Sequence, residues 1–77
     1  MTTFTQDETT YTTHKVMIKN TQYNIMVVQG KFNYINVKKI THIRGIGKQF
    51  KSFDAAMNNY KNHKLKLEIF KIQMGLS

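Results

Sequence analysis

This chain has no cysteine, a single arginine and only four carboxylates in 77 residues. Without cysteine it can hold neither a disulfide nor a thiolate metal site, so its stability must come from an apolar core. It has no run near the roughly 18 consecutive apolar residues of a membrane span, so no membrane partner is expected. The first eight residues, Met-Thr-Thr-Phe-Thr-Gln-Asp-Glu, lack the basic and apolar stretches of a signal peptide. A cytoplasmic location is the expectation. Acids are scarcest where they would matter for catalysis. Asp7 and Glu8 sit at the start, leaving Asp54 and Glu68 for the rest of the chain. No paired-carboxylate site can be built from those two. The Ser and Thr hydroxyls have no oriented base, because His14, His42 and His63 have no evident acid partner. The same histidines are too far apart for the paired ligand spacing of a structural zinc site. The reading is a non-enzyme with no metal and no cofactor.

What is present is positive charge. From residue 9 onward twelve basic residues face two acids, a net of +10. A surface that is merely soluble mixes both signs. This imbalance instead points to a polyanion, nucleic acid first, with an acidic host protein as the alternative. Eleven of the twelve cations are lysine, and Asn and Ile are abundant. Such a bias suits an AT-rich genome and suggests a phage or mobile element, with a role in its replication or transcription. Apolar residues make up 40% of the chain, including five Phe and four Tyr, enough for one small core. A domain this short buries only about 60% of its unfolded surface, so a homodimer is one source of extra burial.

Residues 1–12 are Thr-rich and without period, and read as a flexible polar tail; an extra edge strand is the rival reading, because Thr favours strands. Residues 13–77 read as a single small basic α+β domain. Apolar runs at residues 15–19, 23–28 and 32–40 are separated by turn residues at 20–22 and 29–31, which predicts a three-stranded antiparallel meander. Gly30 supplies a residue able to take positive φ. The Gly-rich segment 41–47 reads as a flexible basic loop, followed by a brief fourth strand at 48–51. Ser52 is placed to cap a helix whose first turn holds Asp54, with Phe53, Ala56, Met57 and Tyr60 on one face. The run of Asn58, Asn59, Asn62 and His63 predicts a break. Residues 64–73 fit both a strand and a helix. The helical set Leu65, Ile69, Ile72, Leu76 is the longer one, and a second or kinked helix is preferred. The expected fold is therefore a three- to four-stranded antiparallel meander packed against one or two C-terminal helices. Its core comprises Val16, Ile18, Ile25, Val27, Ile35, Val37, Phe53, Met57, Tyr60, Leu65 and Ile69.

Two segments carry candidate binding chemistry. In an extended segment 32–40, side chains alternate between faces. Ile35 and Val37 belong to the core face, with Asn33 and Lys39. Phe32, Tyr34, Asn36 and Lys38 then form an aromatic, amide and basic row on the other face. Rings of this kind stack on bases while lysine neutralises the backbone, which slightly favours single-stranded DNA. The second segment is Arg44-Gly45-Ile46-Gly47-Lys48, with Lys51 close behind. It lacks the Walker spacing, and Gln49 stands where Ser or Thr would follow the lysine. Its glycines still let backbone amides approach a phosphate beside Arg44, Lys48 and Lys51. The expected nucleic-acid contacts are thus Phe32, Tyr34, Asn36, Lys38, Arg44, Lys48 and Lys51.

Residues 49–60 (Gln-Phe-Lys-Ser-Phe-Asp-Ala-Ala-Met-Asn-Asn-Tyr) form an aromatic-bearing strand running into a capped helix with Ala and Tyr on its inner face. This ending resembles the close of plant ethylene-response-type DNA-binding domains and of the arm-binding domains of tyrosine recombinases. The resemblance implies a sheet laid in the DNA major groove with a helix packed behind it. The arginine- and tryptophan-rich strands of the plant domains have no counterpart here, and no base-contacting residue follows from the likeness.

Overall fold

The computed structural model describes residues 2–40 and 45–75. Five strands, β1 (Thr2–Gln6), β2 (Thr9–Ile18), β3 (Thr21–Gln29), β4 (Tyr34–Ile40) and β5 (Gly45–Phe50), precede two helices, α1 (Phe53–Asn59) and α2 (His63–Gly75). The strands form one antiparallel sheet in chain order. The class is α+β, as read from the sequence, but the meander has five strands rather than three or four.

The additional strand comes from the segment assigned to a polar tail, which here supplies β1 and the first residues of β2. A two-residue turn joins them. Asp7 and Glu8 both take left-handed φ, 52° and 61°, which matches the twist of a tight hairpin. The next turn is also two residues long, Lys19–Asn20, with Lys19 at φ 56°. It falls one step earlier than the Asn20-Thr21-Gln22 expected.

The β3–β4 connection is built around Gly30, whose φ is 145°. A Cβ there would fall on the Glu8 carbonyl oxygen and 2.7 Å from the Thr9 Cα, so only glycine lets β2 pass this closely. The Asn33 side chain holds Gly30 from both sides, accepting from its N–H at 3.3 Å and donating to its carbonyl at 3.2 Å. With Asn33 engaged in the loop, regular pairing begins at Tyr34. Phe32 and Asn33 therefore lie before β4, not on its two faces as the alternation predicted. β5 likewise runs from Gly45 to Phe50, not 48–51.

Residues directly opposite in the register share a face. Val16, Ile18, Tyr23, Ile25, Val27, Ile35, Val37 and Phe50 all face the helices. They join Phe53, Ala56, Met57, Tyr60, Leu65, Ile69 and Ile72 in one cluster. Each fully buried aliphatic side chain contributes about 1.5–3 kcal/mol. Phe50 and Tyr60 meet edge to face, with centroids 5.8 Å apart. Ser52 caps α1, its hydroxyl accepting from Ala55 N–H at 3.1 Å. The chain extends again at Tyr60, and Asn62 opens α2 by accepting from Lys64 and Leu65 N–H at 2.9 and 3.2 Å. Residues 64–73 are therefore helix, and the expected break is a capped start. Among the described residues no helix is long and apolar enough to cross a membrane.

Candidate nucleic-acid interface

The helices cover one side of the sheet, and among the described residues nothing covers the other. Four rows of side chains cross this open side, the last being Met17–Gln22–Ile40 at the far end. The first is Phe4–Tyr11–Val28–Tyr34. Phe4 and Tyr11 stack, with centroids 4.7 Å apart and planes at 11°. Val28, flanked by Tyr11 and Tyr34, is 1% exposed although no helix covers it. The second row is Thr2–Thr13–Met26–Asn36–Gln49, and the third is Lys15–Asn24–Lys38–Gly47.

Rings, amides and ammonium groups therefore succeed one another along the strands. A shallow depression of about 270 Å³ opens where the rows meet, lined by Thr13, Asn24, Met26, Asn36 and Lys38. Asn24 accepts from Gln22 Nε2 at 3.0 Å, which fixes its amide. Gly47 makes room for Asn36. A Cβ at that position would stand 3.2 Å from Asn36 Oδ1. Asp7 and Glu8 are in the β1–β2 turn, Asp54 on α1 and Glu68 on α2, so no carboxylate lies on the open face among the described residues.

The expected contact residues divide between several places. Tyr34, Asn36 and Lys38 lie together on the open face. Phe32 is 65% exposed in the loop before β4, outside the row. Arg44 and the rest of residues 41–44 lie outside the described residues, as does His42. Lys48 stands opposite Val37 and so belongs to the helix side, where it lines a hollow with Tyr23, Lys39 and Tyr60. Burial, and secondarily Tyr23, pushes the Tyr60 phenol up. Lys51 follows β5 and lines a small cavity with Tyr34, Asn33 and Phe53 at the end of the sheet. The structure does not gather Lys48 and Lys51 with Lys38 on one surface.

Sequence reasoning missed Phe4, Tyr11, Thr13, Lys15, Asn24 and Met26 on this face. The available signal was the Thr-Phe-Thr and Thr-Tyr-Thr alternation on either side of Asp7-Glu8, which fits two strands.

A second concavity lies on the helix side, between α2 and the first two strands, with a volume of about 570 Å³. His14, Val16, Thr12, Glu68, Lys71 and Ile72 line it. His14 Nε2 is buried and finds no hydrogen-bond partner among the described residues. Burial lowers the His14 pKa below its ordinary value. Lys71 and Glu68 pair at 3.3 Å along the rim. Comparison with protein-family models, curated proteins and solved structures finds no match for this chain.

Proposed function

We propose that this is a non-catalytic nucleic-acid-binding protein that uses the open face of its sheet, with single-stranded DNA preferred. One observation carries the reading. In a chain of net charge +8, an uncovered sheet face presents aromatic, amide and lysine rows without a carboxylate. A base stacks on the Tyr34–Tyr11 end, or seats over the Met26 thioether with the Asn24 and Asn36 amides at its edge. Lys15 and Lys38 neutralise the adjoining phosphates.

Fluorescence anisotropy with labelled single-stranded oligonucleotides tests this. If about four to six phosphates are neutralised, log K falls with log[salt] at a slope of about −3 to −4. Tyr34→Ala weakens binding by the about 1–3 kcal/mol of one stacked base. Lys38→Ala flattens the salt slope, whereas Lys64→Ala on α2 leaves affinity at this face nearly unchanged. No detectable binding at about 50 mM salt would refute the reading.

A second reading, an acidic protein partner, is favoured by α2. Leu67, Phe70 and Met74 recur at i, i+3, i+7 on its outer side and are 51%, 46% and 58% exposed, between Lys64, Lys66 and Lys71. A basic helix with an uncovered apolar stripe suits an acidic surface. Parallel capture from nuclease-treated lysate and on immobilised DNA separates the two readings.

A further inference from the structure

The sheet has two free edges, and they differ. β5 carries Lys48 and two glycines, both of which discourage strand pairing. β1 is Thr-Thr-Phe-Thr-Gln, uncharged, exposed along its whole length, and free of proline and glycine. It has none of the usual edge protections except shortness. We infer that β1 is a self-association edge, through which two copies of this chain pair antiparallel about a two-fold axis at Phe4.

The hairpin fixes which backbone groups are available. A two-residue turn makes Gln6 and Thr9 a hydrogen-bonded closing pair. Such pairs alternate along an antiparallel ladder, so Phe4 and Thr2 also bond inward to β2. Thr3 and Thr5 therefore turn their N–H and C=O groups outward. A two-fold at Phe4 sets Thr3 of one copy opposite Thr5 of the other, twice. All the outward groups of both threonines are then satisfied. Phe4 meets the second copy's Phe4 as a non-hydrogen-bonded pair, the kind with closer side chains. Its ring, 52% exposed, gains a partner, and the Tyr34–Val28–Tyr11–Phe4 row runs on into the same row of the other copy.

Charge favours this edge as a meeting point of two strongly basic molecules. Two of the chain's four acids, Asp7 and Glu8, lie in the turn at the end of β1. In the register above, that turn and Lys15 of the other copy extend past the same end of the joined sheet. The seam thus brings the acidic turn of one copy toward Lys15 of the other.

Sedimentation velocity from micromolar to millimolar concentration reads the association, and the absence of native cysteine allows a register test. The wild-type chain shifts from monomer to dimer with concentration. Phe4→Cys oxidises to a disulfide-linked dimer far faster than an exposed control, Lys64→Cys on α2. Thr5→Pro removes one outward N–H and leaves the β1–β2 ladder intact. It sediments as a monomer with unchanged circular dichroism. Phe4→Lys sets like charges opposite each other at the axis and gives the same result with the backbone unaltered. A wild-type monomer at all concentrations overturns the inference. So does a dimer that survives both Thr5→Pro and Phe4→Lys, since another surface would then join the copies.

Discussion

Ile25 and Met26 are neighbours in the chain, yet they belong to different surfaces. Ile25 is fully buried under the helices, and Met26 lies in the amide-lined depression of the open face. The same contrast holds for Val37 against Lys38, whereas Val28 beside Val27 is buried on the open side between Tyr11 and Tyr34. One set of alternate residues supplies volume to a core. The other supplies rings, amides and ammonium groups to a surface that no described element covers. A sheet face that is only solvated needs neither tyrosines nor a carboxylate-free field, so the two faces answer different demands.

The largest effect that separates them is expected at that neighbouring pair. Ile25→Ala leaves a cavity costing about 2–5 kcal/mol, a large part of the about 5–15 kcal/mol that holds a small domain together. Met26→Ala changes stability by about 0.5 kcal/mol and weakens oligonucleotide binding. Urea unfolding alongside anisotropy distinguishes the two. Equal stability losses would mean that the open face is a second core. Gly30→Ala strikes both faces at their common border. Forcing a side chain at φ 145° costs about 1–3 kcal/mol and pushes the Glu8–Thr9 backbone away. Amide exchange should rise first in β1 and β2. Asn62→Ala removes the α2 cap and loosens the helix side alone, at about 0.5–2 kcal/mol. Its melting temperature falls while affinity on the open face stays.

The smallest effect concerns His14, on the helix side but beside the uncovered groove. Burial holds its pKa below 6.5 in the folded chain. As pH falls, the unfolded chain takes up the proton first. The stability tied to neutral His14 is therefore complete above pH 6.5 and is lost as pH falls through the folded pKa. Melting between about pH 7.5 and about pH 5 should show this slope, and His14→Gln should flatten it.

The helix side was legible because volume leaves a period. Ile25, Val27, Ile35 and Val37 alternate with polar residues, and Leu65, Ile69 and Ile72 recur at helical spacing. Every residue expected in the core joins the cluster. Val28 stayed hidden because Val27-Val28 breaks the alternation and its neighbour Tyr11 came from the presumed tail. Residues 1–12 read as a tail because Asp7-Glu8 turns left-handed without the Asn or Gly that usually marks such a turn. Phe32 reads as part of the strand because nothing in its apolar neighbourhood shows that Asn33 clamps Gly30 and delays β4 to Tyr34. Tyr34, Asn36 and Lys38 were found together on one face because strict alternation does hold from Tyr34 onward.

The strand order follows the chain order, and that has a consequence for synthesis. Each strand can zip onto the one made just before it, without waiting for a distant segment. The cover comes last. At ribosomal rates of about 5–20 residues per second, the stretch from Phe53 to Ile72 emerges over about 1–4 s. Before that stretch is made, Ile25, Val27, Ile35 and Val37 have no helix to cover them. Until that stretch follows, any sheet already formed has both faces bare, and the apolar one is the face the helices later cover.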